Sequence, residues 1–501
     1  MINYSKIKLI RTLNKESGAA LLWAVILIAI VAGFLITAVS LVLLGLKNSQ
    51  AGARRVVALD VAEAGVNYYM WHLVHAPDDY KDGNSTPASP PYGPYNHDYY
   101  DTSGKKIGAY TIWITPPQSA GYSVSIQSTG RVVGGSENRT IVAKLGIPSF
   151  AQFAVVANDT VNNIWFGAGT EVWGPVHNNG GVHFDGIAHG IVTSAVATYR
   201  DSDNGNQTEP GVYTTQSDPS QVFLGGKSFP VPTIDFNRIT ADLQKLKTLA
   251  TAGSGYIGPS NASGYHIVLT TSGSTYNLYK VTSVSASCST SQGAQGTYKI
   301  LSEQAVSLGN PFPSNGVIFV EDNLWINGQI NSAYLTIAAA KIGATDGDQK
   351  SIFINNDLKY TNFDGRDKIG LIAQNNISVG LYSEGSFTGT ADQQELVIDA
   401  ALIAQNGRVG RNYYPYKYSQ SYCLLSSDNY WQRNKITVYG SIATAQRYGF
   451  AWVSGSVWTL GDYDDSGYQY RSITYDQNMS TNPPPFFPTI GNYAILDWRE
   501  K

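Results

Sequence analysis

A mostly β protein behind one long N-terminal helix is the fold class this sequence predicts, and three observations predict it. No charged residue occurs between Gly18 and Leu46, and a helical pattern continues beyond that run to about residue 74. Short alternating segments, punctuated by Gly, Pro and Asn, fill most of the rest. The 501 residues include 33 Tyr and 50 Gly but only 14% charged side chains, as in an exported β protein whose aromatic and β-branched residues sit on pleated surfaces. A near-neutral chain of formal net charge −3 is unlike a nucleic-acid binder, which needs a basic stripe to neutralise phosphates, so no nucleic-acid partner is expected.

The apolar run exceeds the roughly 20 residues that span a bilayer as a helix. It is too long for a signal-peptide core of about 7–15 residues, and no A-x-A cleavage site follows it. Lys6, Lys8, Arg11 and Lys15 precede it, which keeps the N-terminal side in the cytoplasm and sends the remainder outside. A plain membrane anchor would satisfy these facts. The run continues, however, into "KNSQAGARRVVALDVAEAGVNYYMWHLV" without a proline. There Val57, Val61, Ala64, Tyr68 and Trp71 recur at steps of four and three, a helical apolar stripe, with Arg54, Arg55, Glu63 and Asn67 off it. One helix is therefore expected over residues 19–75, apolar all round in its first half and amphipathic in its second.

A short basic leader ending in Gly18 stands directly before Ala19-Ala20-Leu21-Leu22, and Ala62-Glu63-Ala64-Gly65 follows in the second half. This combination resembles the class III signal of type IV pilins and pseudopilins, and within them the PilX-like minor pilin N-terminal region. The resemblance implies a leader at 1–18, cleavage by a prepilin peptidase between Gly18 and Ala19, and a methylated new N-terminus. It also implies a helix that serves first as membrane anchor and then as filament stem. Trp23 stands where such chains usually carry a glutamate, which sets this chain apart from ordinary filament-body subunits. Implied partners are other pilins or minor pilins, the prepilin peptidase and the inner-membrane assembly machinery.

Residues 76–148 read as a linker followed by a small antiparallel β-domain. "APDDYKDGNSTPASPPYGPYNHDYYDTSGKK" is turn-rich and reads as surface loop. "IGAYTIWITP", "GYSVSIQSTGRV" and "ENRTIVAKLGI" alternate with period two and read as strands. Residues 149–501 form the head. "VIFVEDNLWI", "SIFINNDLKY", "LIAQNNISV" and "LIAQNGRVG" resemble one another, with Ile318, Ile352, Ile372 and Ile403 at equivalent places and Asn or Asp at the following corner. Short strands with Asn corners fit a parallel β-solenoid, with a β-sandwich as the alternative. One inserted helix is expected in "PTIDFNRITADLQKLKTLATAG", on Ile234, Ile239, Leu243, Leu246 and Leu249, ending at Gly253. "GPVHNNGGVHFDG" at 174–186 and the C-terminal "YRSITYDQN…PPPFFPTIGNYAILDWRE" resemble an uncharacterised family of pilus-associated β-rich bacterial proteins. That resemblance implies location and no chemistry.

His177, His183 and His189 are spaced by six and would share one face of a continuous strand, as a zinc or copper site needs, but "NNGG" and "DG" interrupt it. Corner hydrogen bonding is the preferred role, with no metal and no cofactor expected. Asp462, Asp464 and Ser466 match the start of a calcium loop whose twelfth position, Ile473, lacks the bidentate carboxylate. Cys288 and Cys423 either pair outside the cytoplasm, which would be worth up to roughly 5 kcal/mol in the chain-entropy model, or remain separate thiols. Tyr413, Tyr414, Tyr416 and Tyr418 form a candidate contact surface, since tyrosine supplies large contact area at low entropy cost. For catalysis, Asp357, Asp364, Asp367 and Asp399 supply carboxylates, but no spacing selects a glycosidase pair, and no nucleophile elbow, Walker A or HExxH occurs. The expectation is a non-enzymatic assembly subunit with an adhesive or assembly head near a filament tip, at the inner membrane first and the cell surface later. The alternative is a membrane-anchored extracytoplasmic β-helix protein that binds or cleaves carbohydrate.

Overall fold

A computed structural model describes residues 17–86, 89–117, 123–161, 163–202, 204–272, 274–383, 395–414, 430–453, 458–459, 461–462 and 464–501. Helix α1, Ser17–His75, is continuous. At 1.5 Å per residue its 59 residues extend roughly 88 Å. Residues 18–50 are exposed throughout, and by length and composition α1 can cross a membrane.

The second half of α1 lies on an antiparallel sheet of β1 (Tyr92–Tyr100), β2 (Lys106–Thr115), β3 (Ser123–Val132), β4 (Asn138–Gly146) and the C-terminal strand Ala494–Glu500, in that order. The face that α1 buries is Ala58, Val61, Ala62, Val66, Tyr69 and Leu73, each at 3% exposure or less. The buried stripe is therefore turned from the one predicted: of its residues only Val61 is fully buried, Val57 and Tyr68 pack partly buried beside it, and Trp71 is 57% exposed. The reason is steric. Gly130 of β3 lies against the helix backbone at Ala58 and Ala62, and Gly65 lies against Ser128 and Tyr110. The small residues set how closely helix and sheet approach; Tyr69 is buried on this face, whereas Tyr68 packs at its flank and Trp71 turns outward.

Two further departures from expectation concern this sheet. The stretch read as linker loop contains β1, which pairs with β2 from Tyr92↔Ile114 to Tyr100↔Lys106. A register shift between Tyr92 and Tyr95 absorbs Gly93-Pro94, and an edge strand tolerates a proline that a central one would not. The C-terminal strand pairs with β4, from Ala494↔Gly146 to Glu500↔Ile141, so the small domain does not end at residue 148. The head is an insertion into one edge of this sheet. Its entry and exit run side by side, with Phe150 N donating to Pro488 O at 3.1 Å and Ile490 N to Pro148 O at 2.6 Å.

The head is a parallel β-solenoid. One ladder runs through Val317–Val320, Tyr334–Ala339, Lys368–Ala373, Glu395–Ala404 and Gln432–Thr444. From Gln432–Thr444 it steps back in the chain to Val155–Ala157 and then runs on through Val176–Asn178 and Val192–Ser194. Down its centre stand Ile318, Ile337, Leu371, Leu402, Ile442, Val155, Val176 and Val192, all fully buried. Burying each such side chain contributes about 1.5–3 kcal/mol. Of the four isoleucines judged equivalent, Ile372 and Ile403 do pair, but Ile318 lies one column over and Ile352 is on another side, between Leu324 and Ile377. The Asn corners behave as expected: Asn323 Oδ1 accepts from Ser351 N at 3.0 Å and Asn376 Oδ1 from Arg408 N at 2.9 Å.

This permuted order, with the earlier strands stacked after the later ones, is made possible by the inserted helix α2, Arg238–Ala252, with Gly253 as its C-cap. Asn179 holds Ile234 at one end of the stack, through both its amide groups, and Asn315 Nδ2 bonds Leu249 O at the other. Those coils are six spacings apart, roughly 29 Å at about 4.8 Å each. A 15-residue helix of roughly 22 Å plus a short extended lead covers that distance. Ile239, Leu243, Leu246 and Ala250 are buried against the solenoid along the way.

Candidate functional site

The processing and stem positions lie on α1. The Gly18–Ala19 peptide is in its first turn, Gly18 has no atom within 4 Å of where a Cβ would stand, and Trp23 is 69% exposed. Glu63 is exposed beside a shallow groove that it shares with Asn67, Ile495 and Trp498, where the C-terminal strand meets the stem. Arg54, nearer the exposed half of α1, pairs with Glu137 at 3.0 Å.

The three histidines do not converge. A coil of this part of the solenoid has three sides, here Val176–Asn178, Val182–Phe184 and Ile187–Ala188, so a spacing of six moves the chain to a new side rather than along one. His177 is bonded to Thr193 Oγ1 at 3.0 Å and Asn179 Oδ1 at 3.1 Å, and burial pushes its pKa down, with Asn179 opposing. His189 pairs with Glu171 at 2.7 Å.

His183 is different. Its ring is 1% exposed, with Nε2 2.8 Å from Asp185 Oδ2 and Nδ1 2.8 Å from Asp201 Oδ2. The second contact is close enough for an ion pair but off the line of a hydrogen bond. Burial works against its charge, and the two carboxylates outweigh burial, so the pKa rises to about 9. Asp185 is held well below the usual carboxylate range: burial opposes this, but His183 and Thr215 prevail. A histidine with a raised folded pKa contributes stability that is complete below its ordinary value of 6.5 and lost as pH rises through about 9. The expected contribution is on the order of 3 kcal/mol at about 1.4 kcal/mol per pKa unit. Urea midpoints of the head should therefore fall between pH 6.5 and 9, and His183→Gln should lower the midpoint at pH 6 and flatten that slope. An unchanged slope in the variant would refute the assignment.

The carboxylates considered for catalysis hold backbone. Asp399, 2% exposed, accepts from Tyr360 N at 2.8 Å; burial lifts its pKa to about 6, and the Asp357 charge adds to that. Asp367, 1% exposed, accepts from Ala333 N, Thr361 N and Asn362 N. Asp357 accepts from Val397 N at 3.0 Å and pairs with Lys359 at 2.7 Å, and Asp364 pairs with Arg366 at 2.9 Å on the surface.

Asp462 Oδ1 accepts from Asp464 N at 3.1 Å in a tight turn. Ser466 is fully buried at the start of the strand Ser466–Tyr475, its hydroxyl donating to Trp431 O at 3.2 Å, so it stands apart from an open cation loop. Among the described residues, no cluster of three or more His, Cys, Asp or Glu could hold a metal ion.

Tyr414 must be withdrawn from the contact surface: it is fully buried, and its hydroxyl donates to Gly296 O at 2.6 Å. Tyr413 is half-buried, 5.7 Å from the Trp452 ring. Tyr416, Tyr418 and Cys423 lie outside the described residues. Cys288 is 3% exposed and disulfide-bonded. The sequence reading missed a cleft at residues 445–453, because its tryptophans and arginines come from distant segments.

No family model matches the chain, and no curated protein matches it. Among solved structures, a structural neighbour is the competence-associated pilin ComZ from Thermus thermophilus. The match covers 89% of this chain and 97% of that one, at 13% identity and a TM-score of 0.28.

Proposed function

We propose that this chain is a minor-pilin-like or pseudopilin-like subunit of a type IV pilus or related filament, placed at or near the tip. In this reading a prepilin peptidase cuts between Gly18 and Ala19, the new N-terminus is methylated, and the chain sits N-in, C-out in the inner membrane. It then joins other pilins through the assembly machinery. The observation that carries the reading is the two-part helix. Residues 18–46 of α1 carry no charge and are wholly exposed, while one face of the helix from Ala58 to Leu73 is buried on a five-stranded antiparallel sheet. An exposed surface of that kind needs lipid or other apolar helices around it.

The tip position rests on two arguments. Trp23 cannot supply the carboxylate that would pair with a neighbour's N-terminus in an apolar core, where an unpaired charge costs several kcal/mol. A head of more than 300 residues inserted into one sheet edge is also too bulky to repeat along a tightly packed helical array. The same reading makes the head a binding module and not an enzyme, in keeping with the backbone-holding roles of Asp357, Asp367 and Asp399. Immunogold labelling of the head on sheared filaments should mark their ends. Dense labelling along the shafts would overturn the tip position.

A further inference from the structure

One side of the solenoid is interrupted at the cleft. There the parallel ladder runs through Ile352–Ile354, Ile377–Val379 and Val409–Arg411 to Gly449. Gly449 N donates to Val409 O at 3.3 Å, and Gly449 O accepts from Arg411 N at 2.8 Å. The same side resumes at Ile164–Phe166, which pairs onward with Val182–Phe184 and, through it, Val212–Tyr213 as a separate three-stranded sheet. Among the described residues no ladder joins Gly449 to Ile164–Phe166, although the two coils are neighbours on the next side, where Thr444 pairs with Ala157. Between these two edges opens the cleft, about 730 Å³, inside the ~300–1,000 Å³ range of ligand sites.

Both edges carry main-chain groups without partners. Ile164 N donates to Gly181 O at 3.1 Å and Phe166 O accepts from Asp185 N at 2.7 Å, so these two residues turn their backbone away from the cleft. Successive strand residues direct their main-chain groups to opposite sides, so Trp165 N–H and C=O face the cleft. By the same alternation Tyr448, next to Gly449, faces it from the other edge. Among the described residues neither pair of groups has a hydrogen-bond partner, in a fold where nearly every such group is paired. Arg471, 4% exposed, holds the coils apart at one end of the cleft. Its guanidinium donates to Tyr468 O at 2.7 Å and Gln469 O at 2.8 Å on one coil, and to Gly167 O at 3.4 Å and Ala168 O on the other. With Thr170 Oγ1 at 3.0 Å every donor is engaged, so Arg471 is a wedge between backbones and not a ligand group.

The cleft also admits a chain sterically. A Cβ on Gly449 would meet only Ala451 O, at 3.9 Å, so another backbone can come close at that edge. Trp165, Trp452, Ala445 and Ala451 supply apolar walls. We propose that the cleft receives an extended segment of a partner protein, which adds one strand to the interrupted side and lays uncharged side chains against Trp165 and Trp452. The unpaired groups select a polypeptide. A strand presents N–H and C=O alternately to both sides, as two open edges require, whereas a polysaccharide has hydroxyls without that repeat. The proposal gives the head its partner class and rests on the reading of the head as a binding module. Tip labelling and peptide binding are separate measurements, and either can fail without the other.

The test uses the detergent-solubilised full chain and a library of capped, uncharged hexapeptides, whose tightest binder is carried into calorimetry and hydrogen exchange. The matched probe is that peptide N-methylated at every second amide, and cellohexaose is the carbohydrate arm. In the free chain the amides of Trp165 and Tyr448 should exchange at least tenfold faster than those of Ile164 and Gly449, which are bonded. The peptide should slow both at least tenfold, and its N-methylated form should bind at least tenfold more weakly. Gly449→Val, which places its side chain in the open cleft, should weaken the peptide at least tenfold while Ile164 and Phe166 keep their wild-type exchange rates. The proposal is overturned by a library without a binder, by equal binding of the N-methylated peptide, or by tighter binding of cellohexaose. Unchanged exchange at Trp165 and Tyr448 in the complex, or undiminished binding to Gly449→Val, would overturn it as well.

Discussion

A chain carrying Gly18→Leu should remain at full length in the inner membrane and contribute nothing to filaments. Under the proposed processing, the peptidase must reach the backbone between residues 18 and 19 at the membrane face. That peptide sits in the first turn of α1, where amide groups lack intrahelical partners and the helix opens most easily. Glycine leaves the bond uncovered and weakens the turn, whereas leucine covers it and strengthens the turn by about 1 kcal/mol. The variant isolates processing from folding, because no atom lies within 4 Å of the added Cβ position. Intact mass of the solubilised wild type should correspond to a methylated chain starting at Ala19, and that of the variant to a chain that keeps residues 1–18. A variant trimmed to the same N-terminus as wild type would refute the cleavage assignment.

What the sequence disclosed was whatever local pattern determines. The charge-free run from Gly18 to Leu46 dictates an apolar helix without reference to any other residue, and α1 follows. Asn323 and Asn376 mark solenoid corners because a short amide side chain can satisfy backbone groups exposed at a bend. Non-local pairing left no such mark. Nothing in Val155–Ala157 indicates that it stacks on Gln432–Thr444, nearly 300 positions away, because any apolar strand of that length could fill the place. The C-terminal strand alternates like many others, and only β4's unpaired edge selects it. The phase of the α1 stripe was misread because hydrophobicity ranks Trp71 above Gly65 and Ala62, whereas close approach to the sheet ranks them the other way.

The candidate sites divide along the same line. His183 was visible as a residue type, but its carboxylates come from the next corner, at Asp185, and from a separate hairpin, at Asp201. The cleft draws Trp165 from one coil, Arg408 from another and Arg471 from a third, all brought together because the earlier coils stack after the later ones. Its chemistry therefore depends on the path that α2 takes along the solenoid.

That dependence on backbone approach gives the other large expected effect, at the junction between stem and sheet. A Cβ on Gly130 would overlap the carbonyl oxygen of Ala58 and stand 2.5 Å from Ala62 N. Both are helix backbone, so no side-chain rotation relieves the clash, and α1 must lift by about 1 Å. A gap of 0.5–1 Å already forfeits roughly a quarter to a half of each dispersion contact. The loss extends along Val61, Ala62, Val66, Tyr69 and Leu73, every one of them buried against the sheet. Gly130→Ala should therefore cost about 3 kcal/mol, the upper end of ordinary overpacking. Gly52→Ala is the matched control: it lies on the exposed part of the same helix with nothing within 4 Å, and should gain up to about 1 kcal/mol of helix propensity. Hydrogen exchange on the solubilised full chain should show faster exchange at residues 54–75 and 123–146 in Gly130→Ala alone. Solenoid strands such as Lys368–Ala373 should keep wild-type rates in both variants, because the head core is a separate cluster from the stem-facing one. If Gly130→Ala retained wild-type protection across the stem and β3, close approach at this glycine would not be what fixes the register of α1 on the sheet.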